Sequence, residues 1–444
     1  MKHEIVESYN GNKYIYIGDC RKIFPYSKDI KEALSSYEIC TEIQASNIIQ
    51  SYQEAFNAYM LEYDLKKNKY DNLIRQKERK MKRFSTLWIN VSNDCNLRCI
   101  YCYGDGGSFN RERQFMKIGK VVEVLDFWLD HVDSVCKQLQ VIFFGGEPLM
   151  NKEAIKFVVS YLKRKTDPEV AIKYGITTNG TILDNDLLDI FIENRFHVTL
   201  SIDGGREIQN INRPFVDGTG TFSVVSENIQ RLLEAGITTV ARLTVTHRNV
   251  GQLKQCIIDI WKLGISIVSF DLVSTKNNLL KLTEEDIQLL IEEIEKLGKL
   301  QYEYIKNNEK KYIVNLLKYG KVLNNNTLNN CSYESPSVLK VDTNGNIFKC
   351  HRLIGYDKFL EGNIQDGLAV NNSEQRTSKS KVCNGCIYSE LCTPCFAVNY
   401  QDNDSIEIVS EHYCKYMKKL INENIKLYIS INELSKKIQK KLYK

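Results

Sequence analysis

Three cysteines, Cys95, Cys99 and Cys102, stand within eight residues of the stretch "CNLRCIYC", with three residues and then two between them. No histidine or fourth cysteine lies close by in the sequence to complete a set of four. Structural zinc takes four ligands in a tetrahedron and usually draws them as two separated pairs, so this spacing does not fit its habit. Three thiolates on one loop suit three corners of a cubane [4Fe–4S] cluster and leave one iron without a protein ligand. An iron left open in this way is a reaction centre or a landing site. A zinc ion completed by a distant residue is the alternative.

Seven of the 14 cysteines fall beyond residue 330: Cys331, Cys350, Cys383, Cys386, Cys392, Cys395 and Cys414. The two CxxC pairs at 383–395 also match a zinc knuckle, but a knuckle leaves Cys331, Cys350 and Cys414 idle. Cys20, Cys40, Cys136 and Cys256 are isolated and read as small buried hydrophobes. The start, "MKHEIVESYNGNKYIYIG", has neither an apolar core nor a cleavage site of a signal peptide, so a cytoplasmic location and reduced thiols are expected.

A chain of 444 residues fits two to four domains at ~150 residues each. Its 43% hydrophobic and 26% charged content is ordinary for a globular protein, and no stretch approaches the roughly 18 consecutive apolar residues of a membrane span. No membrane partner is expected. The net charge of +5 does not argue for nucleic acid. Its excess is local, at Lys66–Arg83 and at Lys436, Lys437, Lys440, Lys441 and Lys444, and reads as solvated helix faces.

The elements that must position the cysteine loop read as βαβ units. Six β-branched runs, "LWINV" (87–91), "QVIFF" (140–144), "IKYGITT" (172–178), "HVTLSI" (197–202), "VARLTV" (240–245) and "IVSFDL" (267–272), alternate with helical stretches such as 117–132 and 222–236. The cysteine loop follows the first run, "GGEP" (145–148) the second, "NGT" (179–181) the third and "DGG" (203–205) the fourth. Four consecutive strands feeding one rim suit an arc of a barrel better than the crevice of an open sheet. Before this core, residues 1–65 read as a small α+β module with strands at 13–18 and 21–26 and helices near 28–36 and 43–65. A charged linker helix (66–85) follows. After the core come a helical bridge (276–330), a turn-rich region (331–414) too poor in core to hold itself together, and a C-terminal helix (415–444).

With "CNLRCIYC" on the first βα loop, "FFGGEP" after strand two and "TTNG" after strand three, the chain resembles the radical S-adenosylmethionine (radical SAM) superfamily over roughly residues 86–275. The resemblance implies an α/β fold, a partial (β/α)6 TIM barrel, in which S-adenosylmethionine chelates the open iron and its reductive cleavage yields a 5′-deoxyadenosyl radical. Cys95, Cys99 and Cys102 would bind the cluster and Tyr101 would lie against the adenine. Gly145, Gly146 and Glu147 would receive the methionyl amino group. Ser201, Asp203 and Arg213 would contact the ribose and the carboxylate, Arg213 through its two-pronged guanidinium.

Residues 331–414 resemble the SPASM domain, the auxiliary-cluster extension of this superfamily. By that pattern Cys383, Cys386, Cys392 and Cys414 would hold one auxiliary [4Fe–4S] cluster, and Cys331, Cys350 and Cys395 a second, open to an outside ligand such as a substrate thiolate. The two-residue gap between Cys392 and Cys395 departs from the commoner three. His247 and His351 lie beside the expected chemistry and read as structural residues.

The N-terminal module resembles the winged-helix elements that recognise leader peptides by strand addition. "CHRLIG" and "EGNI" (361–364) look like the thioether-forming maturases of the sactipeptide and ranthipeptide type. The resemblance therefore implies a leader-bearing precursor peptide as substrate and a flavodoxin or ferredoxin as reductant. Carbon–carbon crosslinking, formylglycine formation in a sulfatase, and a non-catalytic iron–sulfur or zinc protein are the other readings.

Overall fold

The computed structural model describes residues 2–18, 21–26, 84–133, 135–277, 279–325, 331, 333, 335, 337–368 and 383–434. The helices expected near 28–36 and 43–65, the linker up to residue 83, Cys20, Cys40 and the C-terminal lysines lie outside the described residues.

Three strands open the chain: β1 (His3–Glu7), β2 (Lys13–Ile17) and β3 (Lys22–Pro25) form an antiparallel sheet in that order. The central sheet carries the six expected strands as β4 (Thr86–Ser92), β5 (Gln138–Gly145), β6 (Ala171–Thr178), β7 (His197–Ser201), β8 (Thr238–Val245) and β9 (Ile267–Leu272). They are consecutive and parallel throughout. Such strands need helical crossovers, and the sequence supplies them. The helix Ile118–Asp130 buries Val121, Val124, Leu125 and Trp128, one stripe at helical spacing. The helix Phe222–Glu234 stops where Gly236 takes a φ of +71°, a conformation open to glycine.

Both edges of this sheet are extended by short strands. β10 (Tyr312–Ile313) pairs with β9 and β11 (Val338–Val341) pairs with β4, both parallel. β12 (Asn346–Phe348), β13 (Leu360–Asn363) and β14 (Gly367–Leu368) continue antiparallel beyond β11, so among the described residues the sheet has eleven strands. The region after residue 331 thus begins inside the barrel sheet.

The sheet is curled. β4 and β9 are five steps of about 4.8 Å apart along it, yet the neighbouring residues His351 and Arg352 touch Trp88 on β4 and Asp271 on β9. Alternation along the strands follows: Thr239, Ala241, Leu243 and Val245 of β8 are buried under helices, while Val240, Arg242 and Thr244 on the opposite face are only half-buried. The helix Glu411–Asn432, capped by Ser410, packs on the helix Glu284–Lys306 and carries Cys414 in its first turn. No described helix is long and apolar enough to cross a membrane.

Candidate active site

The cysteine loop leaves β4 and is clamped by backbone hydrogen bonds. Arg98 N donates to Pro214 O at 2.9 Å and Ile100 N to Asn212 O at 3.0 Å, which fixes the loop against the segment after β7. On its other side Gly146 N donates to Ser92 O and Glu147 N to Asp94 O, each at 2.8 Å. The two glycines are needed for that approach: a Cβ on Gly145 would stand 2.3 Å from Ser92 O, and one on Gly146 2.3 Å from Asp94 O.

Glu147 is fully buried. Its Oε1 accepts from Leu149 N at 3.0 Å and Thr178 Oγ1 at 2.7 Å, and its Oε2 from Asn179 N at 2.7 Å. Burial pushes its carboxyl up to about 7 against these three bonds. The carboxylate therefore ties the ends of β5 and β6 together. Asn179, which sequence reasoning quoted in "TTNG" but gave no role, donates to Asn96 Oδ1 at 2.9 Å and to Cys95 Sγ at 3.7 Å.

Tyr101, Asp203 and Arg213 meet in one buried cluster. The Tyr101 hydroxyl donates to Asp203 Oδ2 at 2.5 Å, and the Arg213 guanidinium lies 5.3 Å from the Tyr101 ring centre. Arg213 Nε is 3.2 Å from Asp203 Oδ1, an ion pair without hydrogen-bond alignment, and its terminal nitrogens have no partner among the described residues. Burial opposes the charge on Arg213, and Asp203 with Tyr101 beside it keeps it. A buried arginine with its prongs unspent fits a ligand carboxylate. Ser201 ends β7 half-buried, at the same rim. His247 is exposed.

Burial pushes Cys95 and Cys99 up to about 12. The bare chain thus keeps them as thiols, and a bound metal must displace the protons. Among the described residues no three histidine, cysteine or carboxylate side chains converge tightly enough to share one ion. A cubane asks less convergence, because each thiolate binds its own iron.

The later cysteines separate into two places. Cys383, Cys386, Cys392 and Cys414 line one cavity with Tyr388 and Tyr413. Cys395 instead stands at the N-cap position of the helix Phe396–Asn403 and packs against the cluster that holds Cys350. Burial first, then the charges of Cys395 and Cys331, push Cys350 up to about 12. Cys256 is buried under Gly204, as a small hydrophobe would be, and Cys136 donates to Gln138 O at 3.0 Å.

Between the two cysteine regions the barrel lumen holds His351, read from the sequence as a structural residue, together with Arg242 and Asp271, which sequence reasoning missed. His351 stacks on Trp88 at 4.4 Å and meets Phe144 edge-on at 5.1 Å; its Nδ1 is buried without a partner, and burial with Arg352 nearby holds it neutral. Arg242 of β8 pairs with Asp271 of β9. The signal was a charge on the inward phase of an otherwise apolar strand.

Comparison with known proteins places the chain in a family. Residues 89–261 match the model of the radical SAM superfamily. An uncharacterised protein of Methanocaldococcus jannaschii is 30% identical over 305 residues, 67% of this chain and 93% of that one. A cysteine-type anaerobic sulfatase-maturating enzyme of Clostridium perfringens (strain 13) is 26% identical over 375 residues, 76% of this chain and 95% of the enzyme. Among solved structures, anSMEcpe with bound AdoMet superposes with a TM-score of 0.68 at 20% identity, covering 80% of this chain and 97% of that one. Streptococcus suis SuiB bound to the precursor peptide SuiA gives 0.54 at 15% identity, over 90% and 96%. The chain belongs to the radical SAM superfamily, among its SPASM-type members, and is an enzyme working with a [4Fe–4S] cluster and S-adenosylmethionine.

Proposed function

We propose that this enzyme installs thioether crosslinks, cysteine sulfur to carbon, in a ribosomally synthesised precursor peptide. The observation that carries the reading is the sorting of the later cysteines: four around one cavity, and Cys331, Cys350 and Cys395 at a second place with no fourth cysteine among the described residues. A substrate thiolate is a natural fourth ligand there, which holds the sulfur beside the lumen.

Cys95, Cys99 and Cys102 would hold a cluster that, with S-adenosylmethionine bound, would supply the chemistry of hydrogen-atom abstraction by a 5′-deoxyadenosyl radical. This chain's residues do the rest. Arg213, steadied by Asp203, receives the carboxylate of S-adenosylmethionine with its free prongs, and Tyr101 gives a ring face beside it. The glycine pair offers backbone to the amino group, Ser201 lies at the ribose side, and Glu147 holds that rim in shape. The walls Trp88, Phe144 and His351 restrict which substrate hydrogen comes within reach. Forming the thioether removes two hydrogens: one leaves the acceptor carbon as an atom, the other leaves the thiol as a proton, and one electron remains for the auxiliary sites. A small flavoprotein or ferredoxin supplies the electron that starts each turnover, and the N-terminal module receives the leader.

Conversion of a sulfatase cysteine to formylglycine is the second reading, favoured by the clostridial relatives. Mass spectrometry separates the two. A cysteine-rich peptide encoded beside the gene should lose two hydrogens and keep its sulfur, and the leader-bearing form should react in preference to the leaderless one. Replacement of cysteine sulfur by oxygen overturns the thioether reading in favour of the second, and an unchanged mass overturns it outright.

A further inference from the structure

One side chain touches both cysteine regions. Arg352 follows Cys350 by two residues, and its side chain is only 16% exposed. Its Nη1 donates to Cys395 Sγ at 3.8 Å and lies 3.9 Å from Asp271 Oδ2. Its Cζ stands 5.7 Å from the ring centre of Tyr103, the residue after Cys102. Tyr103 feels the charge of Cys102 and of Cys350 alike. The guanidinium is thus wedged between the loop of the first three cysteines and the place of Cys331, Cys350 and Cys395, with Asp271, which Arg242 also pairs, as its counter-charge.

A guanidinium carries its charge at every pH at which the protein is folded. A fixed positive charge, with an N–H aimed at a ligating sulfur, stabilises whichever redox state is more negative. One-electron reduction adds a negative charge to an iron–sulfur centre. We propose that Arg352 raises the reduction potential of the auxiliary centre at Cys331, Cys350 and Cys395, making that centre the acceptor of the surplus electron, and that Asp271 tempers the effect. Arg352 is a positioning and tuning residue rather than a ligand. The inference rests on the reading that these three cysteines hold a cluster.

The predicted signature is two shifts of opposite sign. In full-length, anaerobically reconstituted protein, EPR-monitored potentiometry with dithionite should show the auxiliary couple moving to more negative potential in Arg352→Gln. Arg352→Lys should move it the same way by less, and Asp271→Asn should move it to more positive potential. A residue with only a packing role gives no such pair. Shifts of the same sign, or an unmoved couple with iron content intact, overturn the inference alone. Should Arg352→Gln fail to hold its cluster, Asp271→Asn decides: a positive shift supports the inference, and an unmoved or negative one overturns it. Iron and sulfide that do not fall by one cluster in Cys350→Ala overturn the cluster reading and this inference with it.

Discussion

The Tyr101 hydroxyl donates to Asp203 Oδ2 at 2.5 Å, tying the cysteine loop after β4 to the end of β7 three strands away. The same carboxylate accepts from Asn212 Nδ2 at 3.2 Å and Thr244 N at 3.0 Å and is the counter-charge of buried Arg213. Asp203→Ala leaves that guanidinium buried and unpaired. The expected loss is about 3–5 kcal/mol of stability, read from denaturant midpoints of the metal-free protein. A loss below about 1 kcal/mol would show that Arg213 finds another partner.

Arg213→Lys tests the free prongs. A lysine keeps the charge and loses the two-pronged geometry. Equilibrium binding of S-adenosylmethionine to the reconstituted enzyme should weaken by about tenfold or more, the value of one charge-assisted hydrogen bond. Unchanged affinity removes Arg213 from the carboxylate site.

Much of this arrangement was legible in the sequence, and the exceptions have physical causes. β4 to β9 lie where alternation and β-branched runs place them, because each is long enough to show a period. β10 and β11, two and four residues long, are too short for a period and exist through pairing with strands far along the chain. The position of Cys395 away from its CxxC partner Cys392 follows from the helix whose N-cap position it takes, a tertiary fact that spacing cannot encode. Arg352 and Asp271 escaped for the same reason: their meaning lies in the curl that brings β9 to the residue after His351.

Gly146→Ala should disable the cysteine loop. The added methyl meets Asp94 O at 2.3 Å and the Gly107 Cα at 2.7 Å, both backbone, so the loop must shift. Iron retained per chain after reconstitution should fall by about one cluster. Gly119→Ala is the control: nothing lies within 4 Å, and the helix should gain up to about 1 kcal/mol. Full iron in Gly146→Ala would contradict the close packing described.

Glu147 makes stability depend on pH. Its folded pKa is raised from 4.5 to about 7, so the folded state holds the proton more tightly than the unfolded chain. This contribution is fully present below pH 4.5 and is lost as pH rises through about 7, a change on the order of 3 kcal/mol. Unfolding of the metal-free protein between pH 4.5 and 8 should show the loss, and Glu147→Gln should flatten it. A stability that rises across this window in the parent but not in the variant reverses the sign and refutes the burial argument.

The central claim is that the loop of Cys95, Cys99 and Cys102 carries a cluster with an open iron that breaks S-adenosylmethionine. The direct measurement is anaerobic incubation of the reconstituted enzyme with dithionite and S-adenosylmethionine, followed by chromatography. The account predicts methionine and 5′-deoxyadenosine in equal amounts, and neither from Cys99→Ala. Intact S-adenosylmethionine with the parent enzyme, or equal cleavage by the Cys99→Ala variant, would contradict it.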